Sequence, residues 1–240
     1  MKNTWLVGSI YALATIGTCT AGITGNHQLD YFCKPVLMVA LSIWFYLRSR
    51  AVGDRFTLLI QAGLFFSLIG DVALMFVHKD EFNFLIGLAA FLLAQLCYAV
   101  AFADNVFSVG AMEGFLLPGI FTLVIVVYTV LFVWEILPHV DNGLTYPVIA
   151  YAIAIATMGI AAAFRYMRTY PRSFWTVFIG SMLFVASDST LAINRFRNPF
   201  ESAPLVIMST YAAAQFLIAW GCLAHVLDPD NLRRRAALTT

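Results

Sequence analysis

The stretch 67-SLIGDVALMF-76, with its echo 185-VASDSTLAINRF-196, decides how the chain is read. Each places one aspartate, Asp71 or Asp188, inside a run that is otherwise apolar for the width of a membrane. In both, a small residue precedes the acid and a leucine follows three positions later. A charged side chain at the centre of a bilayer costs about 2.5–3.5 kcal/mol on insertion scales. Two such acids therefore point to one shared polar pocket rather than to idle positions.

Working outward, the 240 residues are 61% hydrophobic and 11% charged. Soluble domains run near a quarter charged, so the composition is that of an integral membrane protein. Runs of about 20 apolar residues number eight: roughly 5–24, 31–47, 56–77, 82–102, 114–134, 146–167, 174–193 and 204–227. The expected fold is all-α, a bundle of eight transmembrane helices forming one transmembrane domain over 1–240. Short connections make neighbouring helices antiparallel. The first run, after Lys2, exceeds a typical signal-peptide core and is read as a retained helix. The net charge of +1 gives no reason to expect a nucleic-acid partner.

Basic residues set the orientation. Lys2, Arg48, Arg50, Arg55, Arg165, Arg168, Arg172, Arg233, Arg234 and Arg235 fall on one side, and Lys79, Arg195 and Arg197 on the other. The positive-inside rule then puts both termini in the cytoplasm. Asp71 precedes His78, and Asp188 precedes Arg195, by seven residues, so both acids lie roughly 10 Å below the outer surface at 1.5 Å per residue. Lys34, Tyr151, Tyr211 and Gln215 fall in the same outer layer. Ser67 shares a face with Asp71 at i,i+4, as Leu191 and Arg195 do with Asp188, with Asn194 alongside. SLIGDVAL against VASDSTLA, and AQLCYAVAF against AQFLIAWGC, suggest a parallel 4+4 repeat.

Other chemistry fits less well. Cys19, Cys33, Cys97 and Cys222 are isolated in apolar surroundings and read as small apolar side chains. His27, His78, His139 and His225 are scattered, without metal-ligand spacing, and the first three read as loop residues. No cofactor motif, nucleophile elbow or phosphate loop occurs. Ser187 points about 100° away from Asp188, which argues against a serine–aspartate dyad. Gly70, Gly87 and Gly180 read as sites of close helix packing. Arg195 and Lys34 can anchor at the interface or hold a lipid phosphate.

The plain structural reading of the two acids is a hydrogen-bonded pair, or an ion pair with Lys34, that ties helices together. The chemical reading is acid catalysis. Carboxyls about 5 Å apart repel by roughly 3 kcal/mol at an effective dielectric near 20, and loss of solvent adds to that. One acid then keeps its proton while Lys34 holds the other ionised, a division of labour suited to hydrolysis.

With these residues in view, the chain resembles the lysoplasmalogenase (YhhN-like) family of multi-pass membrane proteins. The resemblance is carried by Lys34-Pro35, Ser67-x-x-Gly70-Asp71-x-x-Leu74, and Gly87-x-x-x-Phe91 leading to Tyr98. Ser187-Asp188 with Leu191-Ala192, and Tyr211 to Gln215, complete it. Gln95 departs from the family, whose members often have histidine there; an amide cannot relay a proton by titration. The resemblance implies hydrolysis of the vinyl-ether bond of a lysoplasmalogen to a fatty aldehyde and glycerophosphoethanolamine or glycerophosphocholine. The residue reading suits that reaction, with Asp71 and Asp188 as the expected catalytic residues and substrate held by Lys34, Ser67, Tyr151, Ser187, Asn194, Arg195, Tyr211 and Gln215. No cofactor or metal is expected. The partners are a lysophospholipid substrate and membrane lipid, and the oligomeric state stays open. Very short loops favour a bacterial inner membrane over the endoplasmic reticulum. Two alternatives remain: a proton- or ion-coupled transporter built on the same acids, and a lipid-binding bundle without chemistry.

Overall fold

Eight long helices form because eight stretches can satisfy their backbone polar groups only internally once they enter hydrocarbon. The computed structural model describes residues 2–109 and 114–228, and among these every long element is helical. The helices are α1 (Lys2–Thr24), α2 (His27–Ser49), α3 (Arg55–Met75), α4 (Phe82–Val109), α5 (Leu116–Ile136), α6 (Thr145–Ala163), α7 (Pro171–Ala192) and α8 (Ala203–Val226). All eight are long and apolar enough to cross a membrane. Arg233, Arg234 and Arg235, used for orientation, lie outside the described residues, as does the side chain of Lys2.

Boundaries move where capping chemistry overrides hydropathy. Helix α2 starts four residues before the expected 31, because Asn26 Oδ1 accepts from the Leu29 amide at 3.2 Å and Asp30 sits in the first turn. Asp54 opens α3 in the same way, accepting from the Thr57 amide at 3.0 Å. Helix α6 stops at Ala163, short of 167, and the chain turns through Met167 with φ at 58°. Helix α7 opens with Pro171 in the first turn, where a missing N–H is harmless. Beyond Ala192 it continues as a π-helical turn, Ile193–Arg197.

Packing is most extensive in α7–α8, α3–α4, α1–α2 and α4–α6, with α2–α3, α5–α6, α6–α7 and α1–α8 also in contact. Gly180 lets α7 approach the α8 backbone: a Cβ there would lie 3.0 Å from Ala214 O and Ile218 N. A Cβ on Gly70 would lie 2.6 Å from the Phe91 ring, and one on Gly87 2.8 Å from Leu74, so both glycines serve close packing as expected. Helix α5 sits at the edge, presenting Leu123, Val124, Val130, Leu131 and Trp134 outward. The polar side chains run the other way: Ser67, Asp71, Gln95, Ser181, Ser187 and Gln215 are buried among the helices.

The end of the bundle near the start of α7 is held by a buried arginine. Arg165 Nε donates to Asn105 Oδ1 and Nη2 to Ser173 Oγ, each at 2.9 Å. Ser173 in turn donates to Gly221 O at 2.7 Å, and Asn105 bonds the His225 ring at 3.0 Å. Burial pushes the Arg165 guanidinium down to about 10, leaving it charged at neutral pH.

Candidate active site

Asp71 and Asp188 each lie four residues before the last α-helical residue of their helix, 71 to 75 and 188 to 192. At 1.5 Å per residue both carboxyls are about 6 Å along the axis from that end. Both line one cavity of about 370 Å³ between the ends of α1–α2 and α7–α8.

Each acid has its own tyrosine. Tyr211 of α8 donates to Asp71 Oδ2 at 2.6 Å. Tyr151 of α6 donates to Asp188 Oδ2. Tyr211 is held edge-on by Phe91 and Phe184, with ring centroids 5.8 and 5.5 Å away. Behind it, Gln215 Nε2 donates to Ser67 Oγ at 2.9 Å and Gln215 Oε1 accepts from Tyr98 at 2.8 Å. Asp71 is thus oriented by a buried chain of polar groups drawn from α3, α4 and α8. Such networks rigidify when every member is satisfied.

The cavity has a cationic rim. Lys34 Nζ lies 3.1 Å from Asp30 Oδ2, one turn away on α2, and both line the cavity. Arg195 Nη2 lies 3.1 Å from Glu81 Oε1, with its guanidinium carbon 5.2 Å from the centre of the Phe84 ring. Asn194 also faces the cavity, and its Oδ1 accepts from the Phe200 amide at 3.2 Å. The inner wall is apolar, with Leu74, Phe91, Leu191 and Met208. A narrower apolar crevice of about 50 Å³ meets it at Asp188 and is lined by Tyr151, Leu88 and Val148.

The residues named from sequence separate into two layers. Lys34, Asp71, Ser187, Asp188, Asn194, Arg195 and Tyr211 line the cavity. Ser67 and Gln215 are fully buried behind Tyr211 and are off the cavity wall, and Tyr151 lines the crevice. The hydroxyls of Tyr151 and Tyr211 are committed to carboxyls. Ser187 donates to Ile207 O at 3.0 Å, turned from Asp188 as its helical position requires.

Sequence reasoning passed over Asp30, although its i,i+4 spacing to Lys34 was visible, and gave Tyr98 no role in the site. His27 and His78 are exposed at helix ends, His27 opening α2 and His78 in the turn after α3; their rings stack at 4.8 Å, and Tyr31 meets His78 Nε2 at 3.1 Å. His225 is buried at the opposite end. Gln95 is buried near Tyr151 with neither amide atom in hydrogen-bond geometry. Among the described residues no cluster of histidine, cysteine or acid side chains is arranged to hold a metal ion.

The geometry has relatives. The chain is 35% identical over 190 residues to lysoplasmalogenase TMEM86B of Sus scrofa, covering 78% of this chain and 71% of that protein. It is 33% identical over 206 residues to the Homo sapiens TMEM86B lysoplasmalogenase, covering 82% and 78% respectively. A lysoplasmalogenase of Mycobacterium tuberculosis is 32% identical over 213 residues, covering 87% and 76%. No solved structure matches the chain. Residues 29–222 match the YhhN family, a span from the start of α2 to the last turn of α8 that contains both aspartates, both tyrosines and the cationic rim, and the chain belongs to that family.

Proposed function

We propose that this protein is a lysoplasmalogenase, hydrolysing the vinyl-ether bond of a lysoplasmalogen by acid catalysis from Asp71 and Asp188. The observation that carries the proposal is the lining of one cavity by both aspartates, two cations and an apolar wall. That combination suits an amphiphile with a phosphate at one end and a chain at the other. The names of the relatives supply the reaction class.

Asp71 is the acid. Its Oδ2 accepts from Tyr211, which directs Oδ1 and its proton toward the substrate. Protonation of the outer vinyl carbon converts the ether to an oxocarbenium ion. Asp188, half-buried where cavity and crevice meet, stabilises that cation and removes a proton from the attacking water, much as paired carboxyls do in glycosidases. The resulting hemiacetal collapses to a fatty aldehyde and the glycerophospho-alcohol: Asp188 passes the proton taken from water to the leaving oxygen, and the hemiacetal hydroxyl proton returns to Asp71. Lys34 and Arg195 hold the phosphate, and the chain lies along Leu74, Phe91 and Leu191.

The same reading places both termini in the cytoplasm and the cavity mouth outside, supported by the arginines at the far ends of α2 and α7. A bacterial cell membrane suits the short connections. A transporter needs access from both sides, whereas the polar cavity opens at one end, so hydrolysis is preferred.

The deciding experiment supplies purified protein with lysoplasmalogen and measures aldehyde release by wild type, Asp71→Asn and Asp188→Asn. Loss in both variants is expected, with folding checked by thermal melting. Robust release by both would overturn the mechanism, and none from folded wild type would overturn the activity.

A further inference from the structure

The opposite end of the bundle carries a second amphipathic cavity that the proposed chemistry does not use. Between α1, α2 and α8 lies an apolar cleft of about 420 Å³, lined by Val7, Gly8, Ala12, Leu41 and Phe216. A second hollow of about 220 Å³ adjoins it, sharing Trp44 and Trp220 and bordered by Arg48 and Arg172. Together they have the size of a small-molecule site.

Several features separate this place from ordinary interfacial anchoring. Trp44 and Trp220 stack on each other with centroids 5.9 Å apart; Trp44, 7% exposed, is the floor, and Trp220, 37% exposed, is the rim beside Arg172. The Arg172 guanidinium carbon lies 5.9 Å from the centre of the Trp220 ring, joining cation and rim. Gly8 leaves open space: a Cβ built there meets nothing within 4 Å. Arg48 is in the last turn of α2, fourteen residues from Lys34 (34 to 48), so the two cationic mouths are about 21 Å apart along one helix.

We propose that this cavity binds one anionic glycerophospholipid of the surrounding leaflet. Its phosphate lies between Arg48 and Arg172, its glycerol rests over the stacked indoles, and one acyl chain runs down the cleft beside Gly8 and Ala12. Charge selects the head group, because two guanidiniums converge on the mouth. The dry, groove-shaped continuation selects a chain-bearing ligand over a free phosphate.

The test is native mass spectrometry of the whole protein, released from detergent with equimolar phosphatidylglycerol and phosphatidylcholine of matched chains. Wild type retains one phosphatidylglycerol with at least tenfold preference. In the double variant Arg48→Gln/Arg172→Gln that preference falls to about one, while Arg48→Lys/Arg172→Lys keeps most of it. Ala12→Trp, which fills the cleft but leaves the mouth intact, lowers retention of both lipids. Asp71→Asn retains lipid as wild type does, separating this site from the catalytic cavity. Undiminished preference in the glutamine double variant, or displacement of the lipid by glycerol 3-phosphate alone, would overturn the proposal. So would a protein dimer that carries no lipid.

Discussion

Replacing Tyr211 by phenylalanine removes one oxygen atom and little else. The ring keeps its edge contacts with Phe91 and Phe184, and the fold loses no apolar surface. What disappears is the hydrogen bond to Asp71 Oδ2 at 2.6 Å, together with a weak contact from Gln215 Nε2 at 3.4 Å. Gln215 keeps its bonds to Ser67 and Tyr98, so the layer behind the site stays in place. Asp71 becomes a carboxylate as its proton leaves, and a hydrogen bond to a charged group contributes about 1.5–3 kcal/mol. If Tyr211 aims the Asp71 proton, that energy appears in the barrier. At about 1.4 kcal/mol per factor of ten, aldehyde release falls roughly 10- to 150-fold. The assay is initial-rate aldehyde release from lysoplasmalogen in detergent micelles, with Tyr128→Phe as control. Tyr128 also donates a hydrogen bond, to Ser189 Oγ at 2.7 Å, but lines neither cavity nor crevice. Release by Tyr211→Phe within twofold of wild type, at equal melting temperature, would refute the orienting role and leave Tyr211 a packing residue.

Lys34→Gln keeps most of the side chain's bulk and removes the cation, so kcat/KM for lysoplasmalogen falls about tenfold, mainly through KM, as expected for one lost charged contact; steady-state kinetics check it. Gly180→Ala forces a methyl against the α8 backbone, where two atoms lie 3.0 Å from the built Cβ, and lowers stability by about 1–3 kcal/mol, measured by thermal unfolding in detergent. Arg165→Lys loses the fork that reaches Asn105 and Ser173 together and destabilises by about 1.5–3 kcal/mol. Because burial lowers the Arg165 value only to about 10, folded and unfolded chains are both protonated below it. This group therefore gives no slope of wild-type stability between pH 6 and 9, and stability gains from it only as pH rises through that value. In intact cells, Lys79→Cys reacts with an impermeant maleimide while Arg50→Cys does not, as the orientation requires.

Hydropathy and composition determined the architecture before any coordinates. A bilayer accepts only segments that satisfy their own backbone, so eight apolar runs became eight helices and the errors were confined to ends. Those ends moved because Asn26, Pro171 and the π turn after Ala192 act through local geometry that a hydropathy window averages away. The two aspartates were legible for the same energetic reason, since an acid in an apolar run stands out. Lys34 and Arg195 were legible as cations placed near the ends of spans. Which hydroxyl meets which carboxyl was not. Tyr151 and Tyr211 pair with Asp188 and Asp71 because α6 and α8 are rotated to present them, and Ser67 and Gln215 fall behind the wall by the same rotation. Helix rotation is set by packing across all neighbours at once, through close approaches such as Gly180 on α8 and Gly70 on Phe91. Sequence alone determined how many helices there are and which polar groups they carry. Only the tertiary structure decided which of those groups share a cavity, because that depends on contacts between residues more than a hundred positions apart, such as Tyr211 and Asp71.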